Sequence, residues 1–263
     1  MKRIFIFDWD DTLFPTTELS KNKQSYTEKI DEVFLSHYAK LEETILQLFE
    51  MIVAKHGSVY IVTNSDEGWI PNLLTMYFPK LKKWLLEHQI TIISAKSKFQ
   101  HLLLSYNIES DVRPSHSVNQ ESVLQLDLPL APNTKGHSVN KENQVPFNKN
   151  RPLQIQCKLL AFYYVCILEQ MNPKEDSICV IGDSFVEFQA FNLLIECFPS
   201  YDIKHKKKIM FVYELAPSLE DIDKKLKLLI STFQSKRMDP QADQLIQNEK
   251  TFFNLQTEDI III

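Results

Sequence analysis

Asp8, Asp10 and Asp11 fall within four positions in the stretch FDWDDTLFPT, residues 7–16. Carboxylates so close repel one another, and burial sharpens the repulsion. Such a cluster calls for a cation, a shared proton or full exposure to water. Three other places carry groups that suit the cation. Thr63, Asn64 and Ser65 follow an apolar run, Lys158 lies early in an amphipathic segment, and Gly182, Asp183 and Ser184 follow a second apolar run, with Glu187 four positions after Asp183. Two or more carboxylates, with water and a substrate phosphate, are how proteins hold Mg²⁺, a hard ion that takes oxygen ligands. Alternation along an extended chain puts Asp8 and Asp10 on one side and Trp9 on the other. One carboxylate can then attack while its neighbour handles protons. A Thr63 hydroxyl suits a phosphoryl oxygen, and Lys158 supplies the compact positive charge that phosphoryl transfer needs.

The elements around these residues must bring them together. RIFIF (3–7) reads as a buried strand. Residues 26–55 show helical recurrence at Ile30, Val33, Phe34, Leu41, Ile45, Leu48 and Ile52, with Gly57 as the expected stop. SVYIVTNS follows as a second strand. Residues 71–88 read as a helix opened by Pro71, and QITIIS (89–94) as a third strand. The segment 153–171 is an amphipathic helix, with its start placed near Lys158. SICVIGDS is a fourth strand, a helix covers roughly 185–196, and KKIMFVYEL (207–215) is a fifth strand. A helix over 218–234 begins with Ser218 as N-cap and Asp221 three residues on, a weak capping box. Helix and strand alternate, so the expected fold is α/β, a parallel sheet of about five strands flanked by helices. In such sheets ligands bind outside the carboxyl ends of the strands. Those ends carry Asp8, Thr63 and Asp183. The chain has only four glycines; Gly182 at one of these ends permits a tight turn beside a metal.

From about 105 to 151 the chain turns rich in Asn, Ser, Gln, Lys and Pro without sustained period. It reads as a disordered insertion, with VLQLDLPL (123–130) as a short strand or docking segment inside it. One domain is expected over 1–235, with a tail at 236–263. The tail ends in DIIII, which either adds an edge strand or stays out of the sheet.

Composition excludes several classes. There are 263 residues, 44% hydrophobic, enough for a sizeable core. A net charge of −5 gives no electrostatic footprint for nucleic acid. Cys157, Cys166, Cys179 and Cys197 form no CxxC pair, which argues against zinc and for buried free thiols. His37, His56, His88 and His101 lack metal-ligand spacing. No secretory h-region and no run of ~20 apolar residues is visible, so a cytoplasmic protein without membrane partners is expected. KHKKK (204–208) reads as a solvated loop.

Taken in order, Asp8-x-Asp10-x-Thr12 after an apolar strand, Thr63 after a second, Lys158 and GDSFVE (182–187) resemble motifs one to four of the haloacid dehalogenase (HAD) superfamily. The 25 residues from Lys158 to Asp183 are similar to the usual separation of the last two motifs. The resemblance covers about 3 to 188 and extends through the fifth strand and its helix to about 234. The strings FDWDDTLFPT, YIVTNSDEGW and VIGDSFVEFQA are similar to a little-characterised branch of protists, algae and plants. The resemblance implies a Rossmann-like fold with a small or absent cap, and a Mg²⁺-dependent phosphatase. Asp8 would be the nucleophile that forms an aspartyl-phosphate, and Asp10 the general acid and base. Asp at position 10, rather than Thr or Ser, suits a phosphatase over a phosphate-transferring ATPase. The metal would be held by the Asp8 carboxylate, the Asp10 backbone carbonyl and Asp183. Thr63, Asn64 and Lys158 would hold the phosphoryl group or line its pocket, and Asp11, Thr12, Ser184 and Glu187 would support. Glu187 stands where many relatives have Asp. The substrate would be a phosphorylated small molecule or protein, and a small cap favours a bulky one. Lys96 competes with Lys158 for its role. Trp69 is either a substrate-facing aromatic or a packing residue. The rival function is a binding or regulatory protein on the same fold without useful turnover.

Overall fold

The computed structural model describes residues 1–21, 32–112, 122–125, 144–147, 151–197, 205–234 and 260–263. Its centre is an all-parallel sheet. β1 (Arg3–Phe7) pairs with β2 (Gly57–Thr63) on one side and with β6 (Ser177–Gly182) on the other. Beyond β2 lies β3 (Thr91–Ser94). Beyond β6 lie β7 (His205–Met210) and β8 (Ile260–Ile262). The order is therefore β3-β2-β1-β6-β7-β8, six strands where the sequence pattern gave about five. The sixth comes from the tail, whose isoleucines extend the sheet edge. The chain winds outward from β1 to β3, then restarts beside β1 with β6. The reversal falls between β1 and β6, and such a switch point opens a crevice at the carboxyl ends of the strands.

Period-two alternation sorts the strand residues onto two faces. Phe7, Val59, Ile61, Cys179 and Ile181 face one core layer, formed with α2 (Glu32–Ala54), α3 (Trp69–Tyr77), α4 (Pro79–Glu87) and α8 (Leu219–Gln234). Ile4, Ile6, Tyr60, Val62, Ile178 and Val180 face the other, with α5 (Ala95–Val112), α6 (Leu153–Leu168) and α7 (Phe185–Cys197). Strands buried on both faces read as continuous apolar runs, as RIFIF and SICVIG do. On the first layer Thr44 of α2 donates to Asp223 of α8 at 2.6 Å, a buried bond that fixes the two helices.

Several expectations are corrected. The helix over 71–88 is two helices, α3 and α4, separated at Phe78. Trp69 opens α3, and Pro71 sits two places inside, where the backbone N–H has no intrahelical partner anyway. Pro79 takes the first position of α4, which its fixed φ suits. α2 ends before Gly57, through His56 in the left-handed region (φ 58°), and Gly57 starts β2. KHKKK contributes to β7 rather than a loop, and Lys208 there is buried, bonded to the Asn192 side chain. α5 continues to Val112, past the composition change at 105. Within the compositionally polar stretch, β4 (Ser122–Gln125) and β5 (Gln144–Phe147) pair antiparallel, and β4 takes in the start of VLQLDLPL. The remainder of that stretch, Ile30, and the tail between 235 and 259 lie outside the described residues. The Ser218–Asp221 capping box forms in both directions. Cys157, Cys166 and Cys179 are buried free thiols. No described helix is long and apolar enough to cross a membrane.

Gly57 marks a close approach. A Cβ there would lie 2.6 Å from Ile52 Cγ2 and 3.1 Å from the Phe5 ring. Gly57→Ala is expected to cost about 1–3 kcal/mol by overpacking, read as a lower urea midpoint with an unchanged slope. An unchanged midpoint would show that α2 and β2 have slack here.

Candidate functional site: a buried lysine among carboxylates

Ile4 and Ile6 face α6, so alternation aims Asp8 at the same face. The ladder continues past β1, with the Asp8 N–H donating to Ile181 C=O at 2.8 Å. α6 begins at Leu153, the first residue of the segment expected to be helical, which places Lys158 in its second turn rather than at the helix start. Lys158 is 2% exposed, and its Nζ lies 2.7 Å from Asp8 Oδ1. The same ammonium bonds Glu187 Oε1 of α7. Lys158 is thus the lysine at the site. Lys96, its competitor, is exposed in the first turn of α5.

Glu187 is fixed twice. Ser184 caps α7, and Glu187 three residues on accepts from the Ser184 N–H at 3.2 Å and from its hydroxyl. The Ser184 hydroxyl also takes the Val186 N–H at 3.3 Å. This is a reciprocal capping box. Gly182 makes room for it, since a Cβ there would sit 2.8 Å from Glu187 Cγ. Asp183 directly follows β6 and lies beside Asp8, and the Thr12 hydroxyl donates to its Oδ1 at 3.2 Å. One oxygen each of Asp8, Asp183 and Glu187 lies within 4.8 Å of the others.

The electrostatics of this cluster are unbalanced. Three ionised carboxylates against one ammonium leave two negative charges uncompensated. Burial, then Glu187, Asp183 and Asp10, push the Asp8 carboxyl well above the usual range, against the pull of Lys158. Burial, Glu187 and Asp11 push Asp183 up to about 7. Burial opposes the charge on Lys158, yet Asp8 and Glu187 outweigh it and raise its pKa. An oxygen-only donor set with two surplus negative charges fits a hard divalent cation. The side chains on offer are Asp8, Asp183 and Glu187, so Glu187 belongs to the cluster itself. Asp10, expected there through its backbone carbonyl, turns its side chain to other partners.

Four donors hold that side chain. Thr16 Oγ1 (2.7 Å) and Trp69 Nε1 (3.0 Å) donate to Oδ1. Thr63 Oγ1 (2.8 Å) and Ser65 Oγ (2.7 Å) donate to Oδ2. The Thr63 hydroxyl also accepts the Ser65 N–H at 2.9 Å. Trp69 takes the packing role of its two expected ones, against the core, and its indole N–H also positions Asp10. Thr16 and Ser65 carry no role in the sequence pattern, and the bond from Trp69 to Asp10 was not expected either. Asp11 has φ 55° and binds the Thr17 N–H (2.9 Å) and hydroxyl, which pins the loop to α1 (Thr16–Lys21). Trp9, on the opposite side from Asp8, is fully buried and stacks on Phe14. Asn64 reaches the Gln154 carbonyl through Nδ2 at 3.4 Å.

Comparison of the chain with protein-family models, with curated proteins and with solved structures finds no match.

A carboxyl whose folded pKa is raised keeps an extra proton on folding, so its contribution to stability falls as pH rises from about 4 towards 7. Asp183→Asn removes that loss. Without added metal it is expected to melt a few °C above the wild type at pH 8, where ~1 kcal/mol corresponds to about 2–4 °C in a domain this size. The gap should close near pH 4. Equal melting curves at both pH values would show that Asp183 is not under strain. Lys158→Met leaves Asp8 and Glu187 buried without their cation and is expected to cost about 3–5 kcal/mol at pH 7, measured by urea unfolding.

Proposed function

We propose that the protein is a Mg²⁺-dependent phosphomonoesterase of the HAD type that works through an aspartyl-phosphate on Asp8. The observation that carries this reading is the buried Lys158 bridging Asp8 and Glu187 beside Asp183, at the switch point between β1 and β6. The four-part motif resemblance points the same way. Mg²⁺, held by the carboxylates of Asp8, Asp183 and Glu187, would screen the negative charge of the phosphoryl oxygens.

Asp8 attacks phosphorus, and the bond from phosphorus to the leaving oxygen breaks. Asp10 gives its proton to that oxygen. Asp10 then takes a proton from water, whose oxygen attacks the phosphorus of the aspartyl-phosphate. Inorganic phosphate leaves and the Asp8 carboxylate is restored. Lys158 spends two of its three N–H donors on Asp8 and Glu187, which leaves one for a phosphoryl oxygen. For Asp10 to carry a proton, one neighbour must accept instead of donate. The hydroxyls of Thr16, Thr63 and Ser65 can rotate to do so, whereas the Trp69 indole only donates. Thr63 reaches a phosphoryl oxygen by the same rotation.

One observation favours a second reading, a binding or regulatory protein without turnover: the Thr63 hydroxyl and both Asp10 oxygens are fully engaged within the protein. Phosphate release from p-nitrophenyl phosphate separates the two. The phosphatase reading expects release that depends on Mg²⁺, falls at least ~10³-fold in Asp8→Asn and about 10²–10⁴-fold in Asp10→Asn. Full activity in Asp8→Asn would refute the assigned nucleophile, and absence of Mg²⁺-dependent release from the wild type favours the binding role.

A further inference from the structure

An ionised carboxylate accepts hydrogen bonds through two lone pairs on each oxygen. On Asp10 every one of those places is taken from within the protein. Thr16 and Trp69 donate to Oδ1, and Thr63 and Ser65 donate to Oδ2. A leaving oxygen that is to receive the Asp10 proton therefore finds no open place on the carboxyl group. Either one of these partners withdraws, or one of them carries the proton across.

The partners are not equivalent. The Trp69 indole only donates, so it can neither take the proton nor pass it on. Thr63 is 1% exposed, its hydroxyl accepts the Ser65 N–H, and it is the group that suits a phosphoryl oxygen. Thr16 is β-branched and opens α1, which restricts its χ1. Ser65 has no branch on Cβ. Its backbone is anchored, with the N–H on Thr63 and the carbonyl accepting the Ser94 hydroxyl, so the side chain turns about a fixed stem. Ser65 also lines an open cavity of about 590 Å³. It stands between the Asp10 carboxyl group, at 2.7 Å, and open space.

We propose that Ser65 is a catalytic proton relay: Asp10 Oδ2 gives its proton to Ser65 Oγ as Ser65 gives its own to the leaving oxygen. The proposal rests on the phosphatase reading and extends it by one residue. The step balances. Asp8 attacks phosphorus, the bond from phosphorus to the leaving oxygen breaks, and that oxygen gains the Ser65 proton. The proton that Asp10 gives up then lies on Ser65 Oγ and points back at Oδ2, which is the arrangement the structure shows. In the second half the order reverses. Water gives a proton to Ser65 Oγ as it attacks the aspartyl-phosphate, and Ser65 returns one to Asp10. Because the two groups are in direct contact, neither transfer needs the backbone to move.

The test measures kcat/KM for phenyl phosphate and for 2,4-dinitrophenyl phosphate with Mg²⁺, in the wild type, Ser65→Ala and Ser65→Thr. The two esters share an aryl frame, but phenolate needs a proton to leave and dinitrophenolate does not. In Ser65→Ala the ratio of phenyl to dinitrophenyl ester is expected to fall about 10²-fold, the scale of general acid catalysis. Turnover of the dinitrophenyl ester shows in the same experiment that the variant folds and that Asp8 still attacks. Ser65→Thr keeps the hydroxyl and is expected to recover most of the ratio. The relay moves two protons together, so wild-type kcat/KM for phenyl phosphate should follow a curve against the fraction of D2O in the solvent. A residue that only positions Asp10 leaves one proton in flight and a straight line. A ratio unmoved or raised in Ser65→Ala, or a straight line in the wild type, overturns the relay and leaves the phosphatase reading standing. Should Ser65→Ala fail to fold, the wild-type D2O series decides alone. No phosphate release from either ester in the wild type overturns the phosphatase reading and takes the relay with it.

Discussion

The buried ammonium of Lys158 is the constraint on which the site turns. It sits 2.7 Å from Asp8 and bonds Glu187 as well, so three elements, β1, α6 and α7, converge on one charge. Removing such a charge from water is expensive, and only close carboxylates repay the cost. Asp8 supplies one because β1 alternates and aims its even-numbered residues at α6. Glu187 supplies the other because the capping box of α7 holds it there, over a glycine that leaves it room. The packing of α6 on the sheet is therefore also the placement of the lysine.

One ammonium does not balance three carboxylates. The surplus shows in the raised pKa values of Asp8 and Asp183. Raised carboxyl pKa values in a crevice at the carboxyl end of a parallel sheet support the proposed function. Asp10 forms a contrast two residues away. Its carboxylate is held by four neutral donors from three segments of chain. Two carboxyl groups in different surroundings, one crowded by charge and one by dipoles, suit two different chemical tasks.

Much of this was legible in the sequence. The strand ends at Asp8, Thr63 and Asp183 followed from apolar runs that stop at polar residues, and spacing singled out Lys158 over Lys96. The Ser218 cap was readable from residues three apart. The same pattern at Ser184 and Glu187 carried an equal signal and explains the geometry of Glu187, which the comparison of Glu with Asp at that position left open. The cage around Asp10 was not legible, because Thr16, Ser65 and Trp69 meet it only once β1, β2 and α3 are assembled. The break at Phe78 was masked by an apolar period that runs through both helices, although Pro79 was in plain sight. The terminal isoleucines offered two outcomes that only the free edge of β7 could decide.

The central claim, that Asp8 is the residue that takes the phosphoryl group, is tested most directly by rapid acid quench during turnover of p-nitrophenyl phosphate with Mg²⁺, followed by mass spectrometry of the N-terminal peptides. The account predicts a phosphoryl adduct on Asp8 that needs Mg²⁺ and is absent from Asp8→Asn. Sustained phosphate release with the adduct on another residue, or undiminished release from Asp8→Asn, would contradict it.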